Sequence, residues 1–181
     1  MNTGKQELAS CPALVENLES LPREINDRLI VMRIPFHGKM HLTLISAYAP
    51  TIVYTLEQKE LFYQNLTKML LSVRKDKLLI LGDFNARVGR DAQSWPDVIG
   101  PHGIGSESTS DQLLFTFCAE HGLAITNILF QLPDIHKATW MHPRSKHWHL
   151  IDYVITRGRD IQNIRITRVM GEMTAGQTTC C

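Results

Sequence analysis

Leu78-Leu79-Ile80-Leu81-Gly82-Asp83-Phe84-Asn85-Ala86-Arg87-Val88-Gly89 is the stretch on which the fold of this chain turns. Four consecutive apolar residues suit a strand buried on both faces. Gly82 and the polar residues behind it end that strand. Side chains alternate along a strand, so Asp83 and Asn85 should point to one side and Phe84 to the other. A carboxylate and an amide then stand at the mouth of an apolar core. The carboxylate can hold a water or a metal ion, and the amide can donate to a phosphate oxygen. The plainer alternative is a strand followed by an Asp/Asn-rich turn.

Gly82-Asp83-Phe84-Asn85-Ala86 resembles the central motif of the endonuclease/exonuclease/phosphatase superfamily, metal-dependent phosphodiesterases built on two packed sheets. Two further stretches agree in order and distance. Ser46-Ala47-Tyr48-Ala49-Pro50 is similar to the family's strand-end Tyr-x-Pro, and His149-Leu150-Ile151-Asp152-Tyr153-Val154 to its late Ile-Asp-Tyr. Asn26-Asp27-Arg28-Leu29, Gly100-Pro101-His102-Gly103-Ile104-Gly105 and Ala138-Thr139-Trp140-Met141-His142-Pro143-Arg144-Ser145 are similar to endonuclease domains of long interspersed retrotransposons. The likeness runs from about Leu18 to Val169. It implies an α/β (α+β) fold, a partial four-layer two-sheet sandwich over residues 21–170. Residues 1–20 form a weakly patterned lead and 171–181 a divergent tail.

The resemblance also assigns roles. Asp83 orients or deprotonates the attacking water and is the one confident carboxylate for a Mg²⁺ ion. Asn85 and Tyr48 reach the phosphate. Asp152 fixes the tautomer of a histidine. Thr139, Trp140 and Arg144 lie on the nucleic-acid face. Each has a plainer alternative: a core-edge tyrosine at Tyr48, a surface ion pair at Asp152, core packing at Trp140. His142, His147 and His149 cluster in sequence, but their spacing matches no metal-binding box.

Departures from the family pattern matter as much. The family's metal-binding Glu, upstream of Tyr-x-Pro, has no counterpart before Tyr48, and its closing Ser/Thr-Asp-His is missing from Val169–Cys181. Groups that act as a unit lose most of their rate when several are lost. The expectation is therefore a Mg²⁺-dependent DNA endonuclease domain by descent, with little or no activity. One alternative is a non-catalytic interaction module or domesticated remnant. Another is a lipid or inositol phosphate phosphatase, against which the retrotransposon-like spellings argue. The tail Met173-Thr174-Ala175-Gly176-Gln177-Thr178 is compatible with an out-of-frame reading of Trp-Thr-Asp-His, with an unrelated exon as the alternative. A sheet lacking its first strands would expose an edge or an apolar face, which a protein partner could cover.

Composition sets looser bounds. The chain has 181 residues, 44% hydrophobic, and a formal net charge of +1, which suits one globular domain and advertises no polyanionic partner. Between Lys137 and Arg168 seven bases face only Asp152 and Asp160. That asymmetry suits a phosphate backbone, or equally a solvated basic face. Cys11, Cys118, Cys180 and Cys181 show neither metal spacing nor a disulfide framework, which favours an intracellular, reducing compartment. No apolar run is long enough to span a membrane.

The element pattern follows from caps and periodicity. Strands are expected over 27–34 (ended by Pro35) and 40–48, with a turn at 36–39. Thr55 opens a helix with Gln58 completing a capping box, and Phe62, Leu66, Met69, Leu70 and Val73 share its inner face. Residues 90–109 read as a long loop. Ser110 caps a second helix through His121, with Leu113, Leu114, Phe117 and Cys118 inward and Gly122 as its stop. Strand candidates follow at 123–127, 139–141, 150–156 and 164–169.

Overall fold

The computed structural model describes residues 21–35, 38–73, 75–89, 93–103 and 111–169. The 36–37 part of the first hairpin turn, residues 90–92 and 104–109 of the long loop, the Ser110 cap and the 170–181 tail lie outside them. The strands are β1 (Arg23–Asn26), β2 (Leu29–Pro35), β3 (His41–Tyr48), β4 (Lys77–Asp83), β5 (Leu123–Ile125), β6 (Trp140–Met141), β7 (Trp148–His149) and β8 (Asp152–Arg157). The helices are α1 (Leu56–Ser72) and α2 (Asp111–Glu120). Six strands form one sheet in the order β1-β2-β3-β4-β8-β5, and β6-β7 form a second, small sheet. Among the described strands only β3 and β4 run parallel, because α1 carries the chain back across the sheet between them.

Local chemistry sets α1. The Thr55 side chain accepts from Gln58 N, and the Gln58 side chain accepts from Thr55 N. Phe62, Leu66, Met69 and Leu70 are buried, one helical stripe docked on the sheet. In α2 the inward residues are Leu114, Phe115, Phe117 and Cys118, with Leu113 only half-buried. Gly122 follows in the left-handed region at φ 59°. Leu29, Ile45, Ala47, Leu78, Ile80, Tyr153 and Ile155 line the sheet face that meets this core.

The central strand is buried on one face rather than two. Leu78 and Ile80 point into the core, Leu79 is half-buried and Leu81 is 36% exposed. An apolar run shows that a strand is buried, not on how many sides. Ile30, Ile34, Leu42, Leu44 and Val154 are likewise half-buried on the face away from the helices.

Two other strand readings change. The expected strand over 27–34 begins only at Leu29, because Asp27-Arg28 form a tight turn from β1 in which Arg28 N donates to Asn26 Oδ1 at 3.0 Å. The strand expected over 164–169 does not form. Thr167 Oγ1 instead hydrogen-bonds Thr126 Oγ1 at 2.8 Å, and Val169 N donates to His136 O at 2.8 Å. Apart from Ile164 N, which closes the preceding turn on Ile161 O at 2.9 Å, the segment is tied to the fold by a side chain and one isolated backbone bond, so its alternating pattern finds no ladder.

Candidate active site

Strand register gathers the site. Tyr48 is the Cα partner of Asp83 across parallel β3 and β4, and Asp83 is the partner of Asp152 across antiparallel β4 and β8. On the other side, Tyr48 N donates to Arg28 O at 2.9 Å, which continues the β2–β3 ladder by one residue. Residues paired across neighbouring strands share a face. Arg28, Tyr48, Asp83 and Asp152 therefore form one row at one end of the sheet. The next residues, Phe84 and Tyr153, fall to the core side and are buried.

Gly82 is what lets β4 reach that position. Its φ is 152°, and an added Cβ would sit inside the Ala47 carbonyl. Beyond it the ladder continues briefly: Ala49 N donates to Asp83 O at 2.8 Å and Phe84 N to Ile151 O at 3.0 Å.

Asn85 is placed by a turn, not by the pleat. The strand ends at Asp83, and Asn85 takes the left-handed conformation at φ 47°. Its N–H donates to Asp83 Oδ1 at 2.8 Å, and its Nδ2 donates to Ala49 O at 2.9 Å. Simple strand alternation missed this, because Asp83 bends the backbone back onto its own side chain.

Asp83 carries the clearest electrostatic signature. Burial pushes its carboxyl above the usual 3.8, the Asn85 N–H opposes that, and the neighbouring Asp152 charge adds to the rise.

The backbone of Asp152 is held by two side chains, and that of its neighbourhood by a third. Thr139 Oγ1 accepts from Ile151 N at 3.1 Å and from Asp152 N at 3.2 Å. Buried Asn127 donates through Nδ2 to Asp152 O at 3.3 Å and accepts from Val154 N at 2.7 Å. It thus extends the edge of β8 where β5 stops. Buried Tyr153 accepts at its hydroxyl from Val88 N at 2.9 Å, with Leu150 O at 2.8 Å and Ala86 O at 3.0 Å as acceptors for its single proton. It ties the loop after Asn85 to β8. Sequence reasoning missed Asn127 and this role of Tyr153. The alternation after Asp152 points Tyr153 inward, but no sequence signal names its partners. Thr139, read as a substrate-face residue, serves as an anchor for Asp152.

Trp140 and Arg144 stand off the row, on the β6–β7 hairpin. Trp140 is exposed rather than in the core, and Trp148 is 59% exposed. The Trp140 ring lies 5.5 Å from the His142 ring and 5.8 Å from that of His149. Arg144 is exposed at the turn. His142 builds that turn: its Nδ1 accepts from Arg144 N at 3.3 Å and Ser145 N at 3.1 Å. His149 titrates below its usual value, first through burial, then through the charges of Arg87, His142 and His147.

Oxygen donors of the type Mg²⁺ takes are present in Asp83 and Asp152. Among the described residues, however, no group of three or more His, Cys, Asp or Glu side chains converges to hold a metal. These residues do not by themselves fit a resident Mg²⁺ site.

No protein-family model matches the chain. Over 136 residues it is 39% identical to craniofacial development protein 2 of Bos taurus, covering 74% of this chain and 22% of that protein. The same protein of Tragulus javanicus is 38% identical over 136 residues, 74% of this chain and 23% of its own length. The chain thus spans less than a quarter of the curated relatives it matches. Among solved structures, the endonuclease domain of TRAS1, a telomere-specific non-LTR retrotransposon, superposes with a TM-score of 0.50 at 15% identity, covering 75% of this chain and 52% of that one. The catalytic domain of Xenopus laevis APE2 superposes with a TM-score of 0.51 at 18% identity, covering 75% and 47%. The chain is a homologue of a segment of craniofacial development protein 2, folded in the manner of the endonuclease/exonuclease/phosphatase superfamily.

Proposed function

We propose that the row is a phosphodiester-binding site for DNA, inherited from a retrotransposon-type endonuclease, in which this chain retains binding and little or no cleavage. The observation that carries the reading is the register of Tyr48, Asp83 and Asp152 on three neighbouring strands. Tyr48 is 49% exposed, so its hydroxyl is open to a phosphate oxygen. Asn85 spends one amide hydrogen on Ala49 O and has a second to donate. The raised pKa of Asp83 makes it a better base toward water than an ordinary surface carboxylate. Exposed Trp140 and Arg144 on the hairpin add a stacking ring and a cation.

Among the described residues the donor set is incomplete, which favours binding over turnover, and Mg²⁺ affinity should accordingly be low. Nicking of supercoiled plasmid and anisotropy of a labelled duplex test both halves. The expected result is duplex binding weakened in Tyr48→Phe and Asn85→Ala, with nicking near background. Brisk Mg²⁺-dependent nicking abolished in Asp83→Ala would overturn the impaired reading. Phosphoinositide hydrolysis without DNA binding would replace it with a phosphatase. A tight stoichiometric Mg²⁺ isotherm lost in Asp83→Ala would refute the weak site.

The half-buried apolar face away from the helices supports a second part of the proposal, a protein partner that covers it. A cooperative, monodisperse monomer with a high melting temperature would count against that partner.

A further inference from the structure

The row contains one cation, Arg28, and its surroundings are unusual for an arginine. Its side chain is only 17% exposed, yet among the described residues the nearest carboxylate oxygen, Asp27 Oδ2, lies 3.9 Å from Nε on a side chain that is 84% exposed. So open a pair at that distance screens the charge poorly and adds little. The guanidinium is held by aromatic faces instead. It lies 4.7 Å from the centre of the Tyr54 ring and 5.5 Å from that of Tyr48. Nη1 donates to Tyr48 O at 3.3 Å, and the Asn26 side chain pins the backbone N–H. Aromatic rings attract a cation without neutralising it. The result is a positioned positive charge beside the tyrosine of the row, largely uncompensated by the described residues.

We propose that Arg28 binds a backbone phosphate of DNA next to the one that Tyr48 and Asn85 take, so the site reads two consecutive phosphates along the row. This rests on the reading of the row as a phosphodiester site. One Nη1 hydrogen is committed to Tyr48 O, which leaves the rest of the fork for a phosphate oxygen. Strand spacing separates row members by about 4.8 Å. Two such steps, about 10 Å, separate Asp83 from Arg28, so Arg28 stands at the outer end of the row, beside rather than on the phosphate at Tyr48 and Asn85. Tyr54 acts through Arg28 by holding its plane.

Anisotropy of a labelled duplex, titrated across a salt series with the full chain, tests this. Each phosphate neutralised contributes about 0.9 to the slope of log affinity against log salt. Arg28→Gln keeps a donor for Tyr48 O without the charge, and Arg28→Met keeps only the stem. In whichever of these folds by circular dichroism, the slope should shrink by about 0.9 and low-salt affinity should fall roughly tenfold. Arg28→Lys should keep the slope. A neutral variant that loses affinity at an unchanged slope would show that Arg28 only supports the fold, and unchanged affinity would remove it altogether. Wild-type protein that binds no duplex would sink the reading of the row itself, an outcome distinct from either. If both neutral variants fail to fold, a Tyr54→Ala protein decides. Loss of slope supports the proposal, and an unchanged slope and affinity overturn it.

Discussion

Asp83 and Asp152 stand directly opposite each other on antiparallel strands, two carboxylates sharing one end of the sheet. Folding forces this proximity, and it is costly. Asp83 is partly desolvated, and the charge across from it pushes its pKa further up. The proton-linked stability follows with a definite sign. The folded state binds the Asp83 proton more tightly than the unfolded state, so stability falls as pH rises from 3.8 through the raised value. Above that window the penalty is present in full.

Asp83→Asn should therefore be more stable than wild type at neutral pH, by a few degrees in Tm. The amide still accepts from Asn85 N, so the turn survives. The advantage should vanish below the ordinary aspartate range. Thermal melts at pH 3.5 and pH 7 check this, and equal Tm values at pH 7 would count against the assignment.

Gly82→Ala should be among the most damaging single changes. The new methyl would meet the Ala47 carbonyl of the neighbouring strand, at a φ that side chains rarely take. Backbone cannot give as a flexible side chain does. The expected loss is about 3 kcal/mol in urea denaturation. A change below about 0.5 kcal/mol would mean that β3 and β4 are spaced more widely than this.

Tyr153→Phe removes one oxygen from a site that is 1% exposed. Val88 N loses its acceptor, and the carbonyls of Ala86 and Leu150 lose their donor. The cost should be about 1–3 kcal/mol. Hydrogen exchange should quicken most at Val88, ahead of the core strands. Uniform acceleration instead would mean a global loss with no local anchor.

At the opposite end of the sheet, Asp76 accepts from Arg33 at 2.7 and 3.1 Å and from Thr43 Oγ1 at 2.8 Å. The Arg33 bond holds its carboxyl below 3.8, and burial works against that. Here the sign is reversed. The stabilisation is present above the unfolded pKa and is lost as pH falls through the lowered folded value. Arg33→Met should cost about 1–3 kcal/mol at pH 7 by stranding a buried carboxylate. Denaturation curves for mutant and wild type should converge in acid, and a pH-independent gap would contradict the linkage.

What the sequence determined by itself is local. The Thr55–Gln58 box, the α1 stripe, the Gly122 stop and the order of the three motifs were legible, because each depends on residues close along the chain. The inward turn of Phe84 followed from a period of two. The tertiary structure decided everything that depends on register. Tyr48, Asp83 and Asp152 are far apart in sequence, and only hydrogen-bonded ladders place them abreast. A one-residue slip in either ladder would send one of them to the helix side. The left-handed turn at Asn85, the Asn127 clamp on β8 and the Arg28 cation between two tyrosines are equally invisible to periodicity, since each depends on a backbone group or ring brought in from another strand or loop. The same physics explains the strand that failed over 164–169: an alternating pattern makes a strand only where a neighbouring edge offers its ladder, and there Thr126 and His136 offer single hydrogen bonds instead.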